Sequence, residues 1–323
     1  MNSVAEPTLA RKLLDPAKFR DPSITVNGEP RASVPLERLE TLWFNTGTLC
    51  NIECGHCYIE SSPTNDRLAY LTAAEVEAYL DEIAPLGWNT REIGFTGGEP
   101  FLNRDIIQML RASLSRGFEV LILTNAMKPM ELKRRGLLGL NEQFGSKLTI
   151  RVSLDHYSAA IHDAERGDGS FTKTVAGIDW LAARGFTIAL AGRHFTDESD
   201  SGLRGGFARL AAEHNWPIDT DDPAQLVIFP EMDESMDVPE ITTECWGILG
   251  KSPSDVMCAT SRMAIKRAGA DHPLVVSCTL LPYDPQFELG RTLAEADRPV
   301  PLNHPHCAKF CVLGGASCSA RSE

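Results

Sequence analysis

The most constraining feature of this sequence is a regular alternation of two apolar patterns between about residues 41 and 230. One pattern consists of short, β-branched runs of strand length, and the other repeats apolar residues every three and four positions, as a buried helix face requires. The strand-like runs are LWFNTG from Leu42, EIGFTGG from Glu92, EVLILTN from Glu119, KLTIRVSLD from Lys147, FTIALAGR from Phe186 and QLVIFP from Gln225. This α/β alternation predicts parallel strands joined by right-handed crossovers, in a doubly wound sheet or in a full or partial (β/α) barrel.

The intervening helices carry start and stop signals. Thr72 and Glu75 form a capping box at the start of one helix, and Gly87 follows its end. A second helix is predicted to start at Asn103 and to stop at Gly117. The segments TKTVAGIDWLAARG and GGFARLAAEHN show the same apolar spacing and predict two more helices.

The pattern divides the chain into three predicted segments. Residues 1–40 are broken by prolines, so we expect an extension that lies against the body or is partly mobile. Residues 41–231 carry the strand and helix alternation. Residues 232–323 hold six of the nine cysteines and few helical patterns, so we expect a smaller second module organised around a cofactor.

Charge and hydropathy exclude several classes of function. The formal net charge is -13, which repels phosphate backbones and anionic lipids, so neither nucleic acid nor membrane is an expected partner. The short basic cluster Lys133–Arg135 is interpreted as a solvated helix face. No apolar run approaches the roughly 20 residues of a membrane span, and the N-terminal residues lack the apolar core of a secretory signal. A soluble, cytoplasmic protein is therefore predicted.

Three cysteines, Cys50, Cys54 and Cys57, lie within eight residues in a C-x3-C-x2-C spacing. They follow the first predicted strand, at the edge where parallel α/β folds bind ligands. Nine cysteines in a cytosolic chain favour metal or cluster ligation over disulfides. Three thiolates supply three of the four ligands of a 4Fe-4S cluster and leave one iron open. The alternative is a zinc site completed by His56 or by a distant ligand.

A second loop with ligand-binding chemistry, TGGEP at Thr96–Pro100, follows the second predicted strand. Gly97 and Gly98 expose backbone N–H and C=O groups to a ligand that approaches closely. The Glu99 carboxylate can accept a hydrogen bond from an ammonium group. The same residues also make a serviceable turn between a strand and a helix, so the motif gains weight only beside the three cysteines.

Together these motifs resemble those of the radical S-adenosylmethionine (SAM) superfamily, over most of residues 41–230. The cysteine spacing matches the family signature, and His56 and Tyr58 complete the HCY form common in members with auxiliary clusters. Gly97–Pro100 matches the loop that in this family holds the amino group of SAM. LTN at Leu123–Asn125, VSLD at Val152–Asp155 and the later HDAERGDGSF resemble the family's next segments, in the expected order.

The resemblance implies a partial (β/α)6 barrel and a radical enzyme. In this family the open iron of the cluster binds the amino and carboxylate groups of SAM. An electron from the cluster then cleaves a carbon–sulfur bond, giving methionine and a 5'-deoxyadenosyl radical that abstracts a substrate hydrogen. A flavodoxin- or ferredoxin-type protein is the expected electron donor.

Further polar residues at the strand ends are expected to contact SAM. Ser153 and Asp155 are candidates for its ribose or carboxylate, and Arg166 or Arg193 can pair with the carboxylate through a charge-assisted bond. Each arginine can equally be a surface or loop-bracing residue. Asn125 and the threonine before it either belong to the site or only cap their strand.

The C-terminal cysteines form a second candidate site. Cys258 and Cys278 flank a predicted hairpin, and Cys307, Cys311 and Cys318 follow it. The first half resembles the SPASM or shorter twitch extensions of radical SAM enzymes, whereas the final C-x3-C-x6-C spacing departs from SPASM. This implies one auxiliary 4Fe-4S cluster on the first two cysteines and two of the last three, with a structural zinc or mixed site as the alternative. The cysteine of TECWGIL is either a further ligand or a buried apolar thiol.

The leading functional hypothesis is a cytoplasmic radical SAM enzyme that oxidises, rearranges or forms bonds in a small-molecule substrate. A peptide or protein substrate is the alternative, although residues 1–40 are too few for the peptide-binding domain that peptide-maturing relatives often carry. A non-catalytic iron–sulfur electron carrier or a zinc-stabilised binding module is a different class, which the GGEP loop disfavours. Glu231, Asp233 and Arg262 are unranked candidates for substrate contacts.

Overall fold

The computed structural model of the protein describes residues 12–231 and 233–314, and a nine-stranded sheet runs through them. The described residues contain eleven strands, of which nine form this sheet, while the first and last pair with each other. They are β1 Ser33–Val34, β2 Thr41–Asn45, β3 Glu92–Thr96, β4 Glu119–Thr124, β5 Leu148–Ser153, β6 Thr187–His194, β7 Leu226–Pro230, β8 Ser261–Ile265, β9 Leu274–Val276, β10 Glu288–Gly290 and β11 Val300–Pro301. The sheet order is β10-β9-β8-β2-β3-β4-β5-β6-β7. All six predicted strands are confirmed, and β2 to β7 pair in parallel in sequence order. The sheet ends at β7 and β10, which excludes a fully closed barrel.

Helices follow most of the parallel strands. They are α1 Ala73–Ile83, α2 Ile106–Ser115, α3 Lys128–Leu132, α4 Arg134–Phe144, α5 Ala159–Arg166, α6 Ser170–Ala182, α7 Asp200–His214 and α8 Cys245–Leu249. Short 3-10 helices lie at Pro100–Leu102, Gly145–Lys147, Pro253–Asp255, Met257–Ala259 and Pro285–Phe287, and a π-helix spans Cys307–Leu313. No helix in the described part of the chain is long and apolar enough to cross a membrane.

The predicted helix signals are present, with one shift. The Glu75 amide donates to the Thr72 hydroxyl over 3.2 Å, and the Glu75 carboxylate accepts from the Thr72 amide over 2.8 Å, so the capping box is confirmed. The second helix begins at Ile106 rather than at Asn103. The Asn103 side chain instead donates to the carbonyls of Leu71 and Thr46, which ties the loop to its neighbours.

The C-terminal segment continues the central sheet. β8 pairs in parallel with the free edge of β2, and the β8–β9 hairpin confirms the turn predicted between Cys258 and Cys278. β10 then pairs with β9. The smaller module predicted from residue 232 therefore adds three strands to the sheet of residues 41–231, and the division between the two stays a prediction.

The described part of the N-terminal extension lies against the C-terminal segment. β1 pairs with β11, and Arg31 forms a buried ion pair with Glu240 over 2.5 Å. Lys18 pairs with Asp237 over 2.6 Å. These contacts hold residues 12–40 along the outside of the sheet.

The interior of the parallel strands is packed at its base and open above. Trp43 on β2 is fully buried, and its ring occupies the space beside Gly94 on β3, where an added Cβ would lie 2.4 Å from the ring. Thr96, two residues further along the same face of β3, lines a cavity. The floor of the interior is thus filled by an aromatic side chain, and the carboxyl ends of the strands surround a site.

Candidate active site

A cavity of about 180 Å³ lies at the carboxyl ends of the parallel strands. Of the fourteen residues that the sequence placed in the SAM site, all but Glu99 line it. Those thirteen residues are Cys50, Cys54, His56, Cys57, Tyr58, Gly97, Gly98, Pro100, Asn125, Ser153, Asp155, Arg166 and Arg193. Motifs that are up to 143 residues apart in sequence therefore meet at one place.

The three cysteines share one wall of this cavity. Burial raises the pKa of Cys50 to about 12, and it raises the pKa of Cys54 to about 11 against the attraction of Arg166. If the three thiols were ionised, each thiolate would repel the other two, so a positively charged group is needed among them. The Ser61 amide donates to Sγ of Cys57 over 3.3 Å.

The spacing of the thiols distinguishes between the two candidate metal groups. A tetrahedral zinc with Zn–S bonds of about 2.3 Å brings its sulfur ligands to about 3.8 Å from one another. Within residues 12–231 and 233–314, the three cysteines and His56 do not form a group of ligand atoms lying within 4.8 Å of one another. The three soft thiolates that line this cavity are ligands suited to an iron–sulfur cluster, which is larger than a single ion.

Glu165, which the sequence analysis missed, holds the loop that carries two of the cysteines. Its carboxylate accepts from the His56 amide over 2.6 Å and lies 2.8 Å from Nδ1 of the same histidine. Its carbonyl accepts from the Gly55 amide over 3.0 Å. A weak signal existed, because Glu165 lies at the end of α5 inside the HDAERGDGSF segment, but its partner is 109 residues away.

Arg193 braces the same loop and retains donors for a ligand. One of its terminal nitrogens donates to the His56 carbonyl over 2.8 Å and lies 3.3 Å from the Glu165 carboxylate. Its guanidinium lies 4.7 Å from the centre of the Tyr58 ring and 4.3 Å from that of Phe195. Nε and the other terminal nitrogen are buried and have no hydrogen-bond partner among residues 12–231 and 233–314. An anion in the cavity would supply the acceptor that these donors lack.

The GGEP loop lies directly against the start of the cysteine loop. The Gly98 amide donates to the Gly47 carbonyl over 2.8 Å, and the Glu99 amide donates to the Leu49 carbonyl over 3.1 Å. A Cβ at Gly98 would lie 2.2 Å from the Leu49 oxygen, and Gly97 has a φ of +138°. The glycines are therefore required for the close approach of two backbone segments as well as for any ligand.

The Glu99 carboxylate is buried behind the cavity wall, with 1% exposure. It accepts from the Thr124 hydroxyl over 2.9 Å, from the Asn125 amide over 2.9 Å and from the Phe101 amide over 3.1 Å. Burial raises the pKa of Glu99 to about 7, although these hydrogen bonds oppose the shift. In this arrangement Glu99 joins two loops of the site, and its predicted bond to an ammonium group stays a prediction.

The remaining polar residues line the cavity, and several of them also hold neighbouring segments in place. Asn125 donates to the Asn51 side chain over 2.9 Å and approaches Sγ of Cys50 at 4.0 Å. Arg166 makes two hydrogen bonds, of 2.6 and 2.8 Å, to the Asp155 carboxylate. Burial acts to raise the pKa of Asp155, but the Arg166 guanidinium lowers it below its ordinary value. Ser153 lies on the cavity wall at the end of β5.

The C-terminal segment closes one side of the cavity. Thr279 and Leu280, directly after Cys278, line the cavity. Phe310, from the π-helix, packs against Tyr58 and Phe229 with ring centres 6.4 and 5.5 Å apart. The aromatic contact joins the segment of Cys57 to the segment of Cys307 and Cys311.

Three C-terminal cysteines come together beside this wall. Burial raises the pKa of Cys258 to about 12 and raises the pKa values of Cys278 and Cys307 as well, and neighbouring thiols add to the shifts of Cys258 and Cys307. Cys311 lies one turn along the π-helix from Cys307, whereas Cys318 lies outside the described residues. Such a set of buried thiols fits a second metal group.

Other candidates from the sequence lie away from the cavity. The sulfur of Cys245, in TECWGIL, accepts from the Thr242 amide over 3.4 Å at the start of α8. Arg262 is fully buried and donates to backbone carbonyls, including that of Cys258 at 2.5 Å, so it is a structural residue. Glu231 and Asp233 are half-buried and do not line the cavity.

One further group of potential ligands lies near the C-terminal cysteines. Oxygen and nitrogen atoms of Glu234, His304 and His306 lie within 4.8 Å of one another. Nδ1 of His304 accepts from the His306 amide over 3.1 Å, which leaves the proton of a neutral ring on Nε2, the nitrogen nearer Glu234. Nε2 of His306 lies 2.9 Å from the Glu234 carboxylate. The Glu234 carboxylate therefore lies within hydrogen-bonding distance of His306 and 4.0 Å from His304.

Comparison with known proteins relates part of this chain to a known family. Residues 44–200 match the Radical SAM superfamily. This chain therefore contains a radical SAM domain. The matched span contains the three cysteines, the GGEP loop and both cavity arginines that the sequence singled out.

Curated relatives of this radical SAM chain act in different pathways. It is 31% identical over 170 residues to the antilisterial bacteriocin subtilosin biosynthesis protein AlbA of Bacillus subtilis (strain 168), a match that covers 52% of this chain and 35% of AlbA. It is 29% identical over 144 residues to an AdoMet-dependent heme synthase of Methanosarcina barkeri (strain Fusaro / DSM 804), covering 44% of this chain and 38% of the synthase. The chain thus matches little more than a third of the length of these relatives.

A solved structure supports the fold. The structure of Streptococcus suis SuiB bound to S-adenosylmethionine aligns with a TM-score of 0.57 and 13% identity, over 79% of this chain and 63% of SuiB. At this identity the likeness concerns the fold alone. The six parallel strands of this radical SAM protein form a partial (β/α)6 barrel, as the resemblance implied.

Proposed function

We propose that this protein reductively cleaves SAM to methionine and a 5'-deoxyadenosyl radical and uses the radical to abstract hydrogen from a small-molecule substrate. The observation that carries the proposal is the convergence of Cys50, Cys54 and Cys57 with the GGEP loop on one cavity. An electron carrier needs the cysteines alone, whereas a SAM enzyme needs both. When bound, a reduced 4Fe-4S cluster would supply the electron that cleaves SAM.

The chain's own residues would hold the cluster and position SAM. Glu165 and Arg193 fix the backbone of the loop between Cys54 and Cys57, so that these thiols face the cavity. The GGEP loop, held against Gly47 and Leu49, lines the same cavity and would offer backbone carbonyls to the amino group of SAM.

The anionic end of SAM has two candidate partners. Arg193 has two buried donors without partners in the part of the chain that the structure describes and is therefore the better one. Arg166 is already held by two hydrogen bonds to Asp155. Ser153 and Asn125 line the wall between them and are assigned to the ribose.

The C-terminal cysteines are proposed to bind one auxiliary 4Fe-4S cluster. Cys258, Cys278 and Cys307 are neighbouring buried thiols, and Cys311 follows one turn later. A reductant of flavodoxin or ferredoxin type would supply the electron for the SAM-binding cluster, and the reaction is proposed to take place in the cytoplasm.

We propose a small molecule as the substrate, bound at the cavity that the C-terminal segment helps to line. Leu280 and Thr279 line it beside the barrel residues, and its volume is about 180 Å³. A peptide substrate is the second candidate, since AlbA, the 31% identical relative, is a bacteriocin biosynthesis protein.

The proposal is tested by incubating anaerobically reconstituted protein with dithionite and SAM and measuring 5'-deoxyadenosine by mass spectrometry. We expect slow formation without substrate, and none above background in Cys54→Ala. A wild-type protein with an intact cluster and no more deoxyadenosine than Cys54→Ala would overturn the assignment. Extracts of metabolites and of peptides, added separately, then distinguish the two substrate classes by which one accelerates the reaction.

A further inference from the structure

A layer of residues crosses the interior of the parallel strands below the residues assigned to SAM. The register of β2 to β5 puts four residues at one level, and they are called the Arg151 layer: Asn45, Thr96, Leu123 and Arg151. Thr96, Leu123 and Arg151 line the cavity. Because alternate residues of a strand face the same side, Arg151 lies one layer deeper than Ser153. The Arg151 layer therefore belongs to the floor of the cavity.

Arg151 brings a positive charge to this floor. Its side chain is buried, with the residue 4% exposed. One terminal nitrogen donates to the Ala224 carbonyl over 3.5 Å, so the guanidinium extends from β5 toward the start of β7. A guanidinium carries five N–H donors in a planar fork, and pairs of these donors match the two oxygens of a carboxylate.

The charges around the cavity leave the Arg151 guanidinium for a group other than SAM. Three guanidinium groups and one carboxylate, that of Asp155, line the cavity in the described part of the chain. Asp155 holds Arg166 through two hydrogen bonds, and the proposed function assigns Arg193 to the carboxylate of SAM. Below Arg151, burial raises the pKa of Glu92 although the Arg151 guanidinium opposes the shift. Burial therefore disfavours the negative charge that would offset Arg151 from below.

Two neutral donors point to the same kind of ligand. Asn45 is fully buried, and its side-chain oxygen accepts from the Gly47 amide over 3.0 Å, so Nδ2 is the donor that remains. Nδ2 has no hydrogen-bond partner within residues 12–231 and 233–314, and neither has Nε1 of Trp43, one layer lower on the same strand. Buried donors without acceptors cost free energy. A ligand with acceptor oxygens at this layer would satisfy them, whereas a ligand with further donors would not.

We propose that the Arg151 layer binds a carboxylate of the substrate, so that the substrate is a small carboxylic acid. This inference rests on the proposed function, because it names the substrate class of the same cavity. The carboxylate would lie on the floor beside Arg151, and the remainder of the molecule would extend upward toward SAM. Arg151 is then the residue that selects acidic substrates over neutral ones of the same shape.

Binding is tested on the metal-free full-length protein by ¹⁹F NMR with two probes, 4-fluorobenzoate and 4-fluorobenzamide. The probes have the same shape, but the first is a carboxylate with acceptors only and the second is a neutral amide. Arg193 also offers donors to an anion, so every protein carries Arg193→Gln. We expect this protein to bind the benzoate about tenfold or more tightly than the benzamide, as a charge-assisted bond implies.

Three additional substitutions in this protein locate the preference. Arg151→Gln should reduce it to less than about twofold, since the charge is lost. Arg91→Gln is the matched control, because it removes the same charge from an exposed side chain that does not line the cavity, and it should leave the preference unchanged. Arg151→Lys keeps the charge without the planar fork, so it should lower the preference about threefold, and it decides the question if Arg151→Gln does not fold.

Several results would overturn the proposal. No measurable preference for the benzoate in Arg193→Gln would show that the floor does not bind carboxylates. An unchanged preference in folded Arg151→Gln or Arg151→Lys, or an equal loss in Arg91→Gln, would show that Arg151 does not select the acid. Tighter binding of 4-fluorophenyl phosphate than of the benzoate, lost with Arg151→Gln, would assign the layer to phosphate. If the wild type does not cleave SAM, the proposed function fails, while these binding results still decide whether the layer holds a carboxylate.

Discussion

Replacing Gly98 by alanine should damage the site through a clash between two backbone segments. The added Cβ would lie 2.2 Å from the Leu49 oxygen and 2.6 Å from the Thr48 oxygen, and real Cβ atoms essentially never approach closer than 3.0 Å. The two loops must therefore separate by about 0.8 Å, which breaks the hydrogen bond from the Glu99 amide to the Leu49 carbonyl. Overpacking of this kind costs about 1–3 kcal/mol, and the backbone atoms involved cannot rotate away.

The displacement should reach the cysteine site, because Leu49 precedes Cys50. We expect a lower urea midpoint for metal-free Gly98→Ala and less than the wild-type iron content after reconstitution. Gly139→Ala is the matched control, since an added Cβ there meets no atom within 4 Å inside α4. That change should stabilise the protein by about 0.5–1 kcal/mol through helix propensity. If Gly98→Ala matched wild type in both measurements, the reasoning from the contact between the loops would be refuted.

Three further predictions concern Glu99 and the C-terminal cysteines. Glu99→Ala should weaken SAM binding by about 10- to 150-fold, as loss of a charge-assisted bond implies. It should also lower the urea midpoint at pH 6, because the Phe101 and Asn125 amides lose their acceptor. Unchanged values in an EPR-monitored SAM titration and in urea unfolding would show that the carboxylate neither binds SAM nor stabilises the loops. Burial raises the pKa of Glu99 to about 7 from its ordinary 4.5, so between these pH values the folded state retains a proton that the unfolded chain has released. Metal-free wild type should therefore lose about 3 kcal/mol of unfolding free energy relative to Glu99→Ala as pH rises through this window. Parallel pH profiles of the two proteins would contradict the assignment. A triple Cys50/Cys54/Cys57→Ala variant should retain about four irons and four sulfides, whereas zinc without iron after anaerobic reconstitution would make the tail a structural metal module.

Local patterns predicted the parts of this fold that local chemistry determines. The six parallel strands are continuous apolar runs, and the capping box at Thr72 is complete within four residues. The cysteine spacing and the GGEP loop were recognised for the same reason. Their meeting on one cavity followed from parallel topology, because the carboxyl ends of such strands lie on one edge.

Contacts between distant segments were not predictable in this way. β8 extends the sheet beside β2, although more than 200 residues separate the two strands and no local signal specifies the pairing. Glu165 was missed because its role depends on His56, 109 residues away. The burial of Glu99 behind the cavity wall likewise depends on Thr124 and Asn125, which arrive on another strand.

The central claim is that the three cysteines leave one iron of a 4Fe-4S cluster open for SAM. Pulsed ENDOR spectroscopy of the dithionite-reduced protein tests it most directly, with SAM carrying ¹⁵N in its amino group or ¹⁷O in its carboxylate. The account predicts a resolved coupling between each label and the cluster spin in wild type, and none in the triple cysteine variant, whose remaining iron lies in the C-terminal segment. Absence of both couplings in wild-type protein that equilibrium dialysis shows to be saturated with SAM would contradict it.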